Sequence, residues 1–302
     1  MKYRVMHKTS YTGREAVSIG HNQAWLEPRS ISGQQVESFS LRIEPEPSIR
    51  SRQTDYFGNS VTLFSFNEGY QKLDVTATSF VTVLDQGSGA NAPLAGQPWE
   101  SAAELLRTHR EESILRAYEF VFSSPRVNWN AEMKAYAVQS FPTGRCLLDG
   151  VRELTQRIHT DFAYDPRATT VTTPVQDAFR IRRGVCQDFA HIEIAMLRSL
   201  GLAARYVSGY LRTYPPEGQP RLVGADASHA WLSVYCGGEI WIDVDPTNNK
   251  FASTDHITLA WGRDYSDVPP LSGVFIGGGQ HRLTVSVDVL PLPSKDVIRS
   301  KS

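Results

Sequence analysis

The chain has 302 residues, 41% of them hydrophobic and 21% charged, which is enough material for two globular domains. Basic and acidic residues nearly cancel, 31 against 32, so bulk charge implies no nucleic-acid or polyanion surface. The amino-terminal run mixes charges with alternating Tyr3, Val5 and His7, and no later stretch reaches bilayer-spanning length; no membrane partner and a cytoplasmic location are the expectation.

Strands are expected at Tyr3–His7, Ala16–Ile19, Glu37–Ile43, Ser60–Phe66 and Leu73–Leu84, separated by Gly, Pro, Asn and Asp clusters. Their spacing predicts a small antiparallel β-sandwich over residues 1–88. Asp85–Pro98 has the composition of a linker, and helical patterns follow at Trp99–Arg110, Ser113–Val121 and Ala131–Ser140, so that 89–146 reads as linker and helical segment. The remainder, 147–302, opens with a helix at Leu147–His159 striped by Leu148, Val151, Leu154 and Ile158.

The segment GVCQDFAHIEIAMLRSLGLAARYVSGY, Gly184–Tyr210, places apolar residues at Phe189, Ile192, Ala195, Met196 and Leu200, one face of a helix that stops at Gly201. Cys186 falls in its first turn. A helix N-terminus and a nearby imidazolium both favour the thiolate, the nucleophilic form of a thiol. Asp188 and Glu193 share this helix, but their five-residue offset separates their faces; Asp188 is expected to cap the helix start. The same offset turns His191 roughly 140° from Cys186, which makes it a poor base. A strand, Arg205–Leu211, comes next, and Tyr210 leads through Arg212 into a loop at 214–218, a candidate border of the substrate cleft.

Two further strands are expected at Ser228–Tyr235 and Ile240–Asp245. In both, even-numbered residues are apolar (Ala230, Leu232, Val234; Ile242, Val244), leaving His229, Trp231, Trp241, Asp243 and Asp245 on the other face. Pairing must then keep even with even. A two-residue Gly237-Gly238 turn breaks that parity, whereas a three-residue Cys236–Gly238 loop keeps it and sets His229 directly opposite Asp245. An imidazole facing a carboxylate is held in one tautomer and orientation, the third role in a nucleophilic triad. Leu283, Val285, Val287 and Val289 alternate as a last half-buried strand, and Gly277–Gly279 lacks the strand-before, helix-after setting of a phosphate loop.

The three cysteines, Cys146, Cys186 and Cys236, are too scattered for a disulfide scaffold or structural zinc; Cys146 and Cys236 are expected to pack as small apolar residues. His7, His21, His159, His256 and His281 show no convergent partner. No metal or organic cofactor is expected. Trp231 and Trp241, which share the His229 face, are candidates either to line a substrate groove with Tyr210 or to cover the polar residues from water.

GVCQDFAH with SLGLAARYVSGY, then SHAW, then WIDVDPT, resembles the transglutaminase-like superfamily in its bacterial form. MKYRVMHKTSYTGREAV, LEPRS and TDYFGNSVTLF are similar to the amino-terminal β domain that accompanies that core, although Gly13 stands where a bulky aromatic is more usual. The resemblance implies an α+β fold with a papain/transglutaminase-like core, a Cys-bearing helix packed on an antiparallel sheet bearing His and Asp. It implies Cys186 as nucleophile, His229 as general base and acid, and Asp245 rather than Asp243 as the orienting carboxylate. Acyl transfer from a peptide or protein amide through a thioester follows, with hydrolysis as a cysteine protease or amidase favoured over transfer to an amine. A non-catalytic scaffold and an acetyl-transferring relative remain as alternatives.

Overall fold

A computed structural model describes residues 1–85, 87, 89, 91–214 and 228–293. The chain begins with β1 (Lys2–Ala24), β2 (Gln34–Glu44), β3 (Ile49–Thr54), β4 (Ser60–Phe66) and β5 (Tyr70–Val83), then α1 (Trp99–Thr108), α2 (Glu112–Tyr118), α3 (Ala131–Val138) and α4 (Leu147–Asp161). Next come β6 (Ala163–Tyr164), α5 (Val175–Ile181), β7 (Arg183–Gly184), α6 (Cys186–Ser199) and β8 (Ala204–Leu211). The last strands are β9 (Ser228–Tyr235), β10 (Trp241–Asp245), β11 (Lys250–Phe251), β12 (His256–Gly262), β13 (Leu271–Gly277) and β14 (His281–Leu292). Among the described residues no helix is long and apolar enough to cross a membrane.

The two short strands expected near the amino terminus are one strand, β1. Its inward positions Tyr3, Val5, His7 and Thr9 are all buried, and the polar pair His7 and Thr9 hides this continuity from a hydrophobicity pattern. The first half of β1 pairs with β5 and β14, the second half with β4 and β13. Two layers, β2-β5-β1-β14 and β3-β4-β1-β13, therefore share one strand, and Leu41, Ile43, Phe64, Phe66, Leu73 and Val75 pack in a common cluster. Gly13 sits at the bend between the halves, where a Cβ would lie 2.8 Å from the Glu15 carbonyl oxygen and 3.0 Å from that of Gly278. β3, IRSRQT, escaped the sequence pattern because all six of its residues are exposed, as suits a polar edge strand. The last described strand, β14, grouped by sequence with the core, is hydrogen-bonded to β1 and so belongs to the first sheet.

The second sheet has the order β11-β10-β9-β8-β12. α6 packs on it along β9 and β8 and against α3, α4 and α5 on its other sides, so that Phe189, Ile192, Ile194 and Met196 are all buried. The Gly201 turn ends α6 as expected: Gly201 has φ 81°, and the Leu202 amide donates to the Leu197 carbonyl at 3.1 Å. The β9–β10 loop corrects the predicted register. It spans five residues, 236–240, closed by the Cys236 amide donating to Ile240 at 2.9 Å, with Gly237 and Gly238 both at positive φ. Tyr235 consequently pairs with Trp241 rather than Glu239. Face parity survives a shift of two residues, so His229 and Asp245 still share a face, but diagonally rather than directly opposite.

The two sheets are tied at the outer edge of β12. Gln34 closes a two-way amide contact on Thr258, 2.8 Å in each direction, and Asn59 does the same on Trp261 at 3.0 and 2.8 Å. Two side-chain amides thus stand in for a neighbouring strand and leave those edge groups paired. Inside, Arg198 at the end of α6 is 1% exposed and donates to the carbonyls of Phe122, Ala204 and Arg263. Arg198→Leu would strand these carbonyls without donors and is expected to cost about 3 kcal/mol in urea unfolding. A loss below about 1 kcal/mol would mean that the carbonyls find other donors.

Candidate active site

The start of α6 is built by its own sequence. Cys186 is the first helical residue, and the Asp188 carboxylate reaches back to accept the Val185 amide at 2.8 Å and the Thr169 hydroxyl at 2.6 Å. This is half of a capping box. A Cβ at position 184 would overlap that carboxylate, which is why a glycine precedes the helix. β7 lies parallel to β6, with Tyr164 beside Gly184, so a 58% exposed phenol stands next to the helix start. Burial first, and then the charge of Cys186, raises the Tyr164 pKa, as it does that of Tyr206 beneath the helix.

His229, near the start of β9, hydrogen-bonds Asp245 at the end of β10, Nε2 to Oδ2, at 2.8 Å. That leaves Nδ1 for Cys186, whose thiol also hydrogen-bonds the ring. Burial alone would disfavour the imidazolium, but the hydrogen bonds and charges of Asp245 and Cys186 outweigh it and lift the His229 pKa to about 10. Burial likewise opposes the Asp245 charge, and His229 with His256 holds its carboxyl well below the ordinary range. His229 therefore adds stability that is full below pH 6.5 and lost as pH rises through about 10. The Asp245 contribution is present above pH 3.8 and lost on acidification.

Two partners of Asp245 lay outside the sequence reading. His256 Nε2 is 3.1 Å from the same Oδ2, and Asn248 contributes its side-chain amide at 2.7 Å and its backbone amide at 3.2 Å. Asn248 was legible in principle, as an Asx residue closing a turn after Asp-Pro. His256 was not, because it arrives from β12, four strands from β11 in the sheet order; the sheet curls until β10 and β12 meet. The ligand-type atoms of His229, Asp245 and His256 fall within 4.8 Å of one another. The Ser253 amide, however, donates to His256 Nδ1 at 3.1 Å, which puts the ring proton on Nε2 and leaves that nitrogen no lone pair for a metal. The arrangement is a hydrogen-bonded one.

The other sequence candidates are placed as follows. Asp243 accepts the Trp231 indole N–H at 2.9 Å and the Ser233 hydroxyl, and does not bond His229. Trp231 is fully buried, 5.2 Å from the His256 ring, and Tyr210 is buried with its hydroxyl 2.9 Å from His7 Nδ1. Neither offers surface to a substrate, which corrects their candidacy as contacts: Trp231 covers the polar residues instead. Trp241 stays half-buried, in edge-to-face contact with Phe120 and Tyr235. Residues 215–218 of the loop proposed to border the cleft lie outside the described residues. His191 accepts the Tyr265 amide at 3.2 Å, and burial pushes its pKa down to about 4. Burial pushes the Glu193 carboxyl up to about 8, so next to Asp245 it is a neutral acid bonded to Thr155 at 2.7 Å. Cys236 is a buried thiol pushed up to about 12, and Cys146 donates to the Gly96 carbonyl at 3.3 Å.

Residues 3–82 match the bacterial transglutaminase-like N-terminal region, and residues 134–246 match the transglutaminase-like superfamily. An uncharacterized protein of Mycobacterium tuberculosis is 38% identical over 297 residues, covering 96% of this chain and 93% of its own length. A protein-glutamine gamma-glutamyltransferase of Pseudomonas aeruginosa is 30% identical over 139 residues, 41% of this chain and 20% of that protein. The crystal structure of a candidate cysteine protease from Cytophaga hutchinsonii superposes with a TM-score of 0.73 at 21% identity, covering 98% of this chain and 92% of that one.

Asp245→Asn removes the anion that sustains the His229 charge while burial remains. The His229 pKa, followed by NMR, is expected to fall well below about 10, because only Cys186 is left to offset burial. An unchanged titration would show that Asp245 does not set it.

Proposed function

The chain belongs to the transglutaminase-like superfamily, and from that premise we propose that it is an acyl-transfer enzyme of the cysteine protease or amidase type acting on peptide or protein amides. The observation that carries this reading is His229 bridging Cys186 and Asp245, because it supplies a nucleophile, a proton carrier and an orienting anion in one hydrogen-bonded line.

In this mechanism the Cys186 thiolate attacks the amide carbon while the backbone N–H groups at the start of α6, that of Cys186 included, receive the developing oxyanion. His229 passes its proton to the departing amine as the C–N bond breaks, which leaves a thioester and a neutral imidazole. His229 then takes a proton from water as the hydroxyl adds to the thioester. The C–S bond breaks, the carboxylic acid leaves and gives its own proton to solvent, and thiolate and imidazolium are restored. Asp245 keeps the ring in place throughout and balances its charge. No step calls on a metal or an organic cofactor.

Water is favoured as the acceptor because the site is open. Among the described residues, Cys186 is only partly buried and Tyr164 beside it is exposed, which gives bulk water a way to the thioester. The similarity to the Pseudomonas glutamyltransferase favours a second reading, in which a primary amine takes the place of water.

Mass spectrometry of glutamine-containing peptides, incubated with and without a primary amine, separates the two. Free carboxylic acids are expected in both incubations, and exclusive amine adducts would overturn the hydrolytic reading. Cys186→Ala is expected to abolish turnover, and Asp245→Asn to lower kcat by about two to four orders of magnitude. Failure of the intact protein to alkylate at Cys186 faster than a free thiol would favour a non-catalytic scaffold.

A further inference from the structure

The line from Cys186 through His229 ends on Asp245, whose Oδ2 takes three donors, and one of them, His256, comes from the far edge of the sheet. His256 is buried and opens β12. A turn sets its ring: the His256 amide donates to the Ser253 carbonyl at 3.0 Å, and the Ser253 amide donates to Nδ1 at 3.1 Å, which aims Nε2 at Asp245. The ring also meets the Trp231 indole edge-on, with the centroids 5.2 Å apart. Its orientation is therefore held by groups other than the carboxylate it meets.

The backbone on either side of His256 is held by the amino-terminal β domain. β12 is an edge strand of its sheet, and the start of an edge strand opens easily unless it is tied from outside. One position before His256, the Asp255 carboxylate accepts the hydroxyl of Tyr3, a fully buried residue of β1, at 3.2 Å. Two positions after it, Gln34 of β2 pairs both backbone groups of Thr258 at 2.8 Å. On the inner side His256 pairs with Leu211 of β8, and the Arg212 amide donates to the Asp255 carbonyl at 3.0 Å. Asp255 also accepts the Tyr214 hydroxyl at 3.0 Å. Ties from β1 and β2 thus bracket the one residue of β12 that reaches Asp245.

We propose that His256 is a positioning residue through which the amino-terminal β domain sets the Asp245 carboxylate, and with it the aim of the His229 ring at Cys186. The inference rests on the acyl-transfer reading and gives that domain a part in it. A carboxylate turns readily about its last side-chain bond, and His229, as one donor on one oxygen, does not stop it. His256 from β12 and Asn248 from the turn after β10 close on the same oxygen and do. The buried Glu193 of α6 also faces Asp245, but its own hydrogen bond is to Thr155 of α4.

The test uses the full chain and reads the rate of Cys186 alkylation by iodoacetamide near neutral pH, which needs no substrate, together with the His229 ring N–H resonance in NMR. His256→Phe, which keeps a ring beside Trp231 and removes the donor, is expected to slow alkylation about tenfold or more and to shift or broaden that resonance. His256→Gln, whose amide reaches toward the place of Nε2, is expected to restore most of both. Tyr3→Phe and Gln34→Met, each in the amino-terminal domain, are expected to slow alkylation severalfold. Asn59→Ala, which cuts the edge tie further along at Trp261, is expected to lower Tm without slowing it. Alkylation of the wild type no faster than that of a free thiol would overturn the acyl-transfer reading and this inference together. With an activated wild type, an undiminished rate in His256→Phe would overturn the inference alone. So would a His256→Gln variant as slow as His256→Phe, or equal slowing by Asn59→Ala and Gln34→Met.

Discussion

A carboxylate with no exposure to water, Asp245, governs the geometry of the second sheet. Its charge survives burial only because donors converge on it: two imidazole nitrogens, the Asn248 side-chain amide and the Asn248 backbone amide. These donors come from β9, from β12 and from the turn after β10, so the demand for compensation pulls elements from across the sheet to one point. A flat five-stranded sheet keeps β10 and β12 three strand spacings apart, about 14 Å. The contact exists because the sheet curls. Gly209 permits the close packing inside the curl, since any side chain there would collide with the Trp231 indole and the Ile257 carbonyl.

Curling leaves β12 as an exposed edge with unpaired backbone groups, and the amino-terminal β domain deals with it. Gln34 and Asn59 pair Thr258 and Trp261 in both directions, and the Arg29–Trp261–Arg205–Trp241 stack runs from that domain into the concave face. Tyr3, Val5, Val81, Val287 and Val289 belong to the same apolar cluster as Tyr210 and Ile257, so the two parts share a core. The return of β14 to pair with β1 adds a covalent reason for the association, because the chain leaves the second sheet and closes the first. The amino-terminal region is thus part of what holds the second sheet in its curved form.

Face parity was legible in the sequence because side chains on a strand alternate without exception, and one polar residue in every second position marks a face whatever the register. That was enough to join His229 to Asp245 and to pass over Asp243. Loop length was not legible: Gly237-Gly238 admits several closures, and the one adopted depends on Cys236 being buried and Ile240 leaving the strand. β1 was read as two strands because its buried positions include His7 and Thr9, whose partners, each other and Tyr210, are settled only in three dimensions. His256 was invisible for the same reason. Its value comes from a contact between the two ends of a curled sheet, and nothing within eleven residues of Asp245 announces the curl.

Asp243 and Asp245 show how little separates a carboxylate that anchors its neighbours from one that faces a titratable ring. They stand two residues apart on one face of one strand, each with two or more donors. The donors of Asp243 are an indole and a hydroxyl, which cannot take up or release a proton in the neutral range, so it anchors Trp231 and Ser233. Those of Asp245 include an imidazole that also faces a thiol, so its charge determines where a proton rests between His229 and Cys186. His256, with Nδ1 accepting from a backbone amide, turns Nε2 to Asp245 and holds it from the other side. The two histidines on one carboxylate are therefore unequal by construction: the second ring nitrogen of one meets a backbone amide, and that of the other faces a thiol.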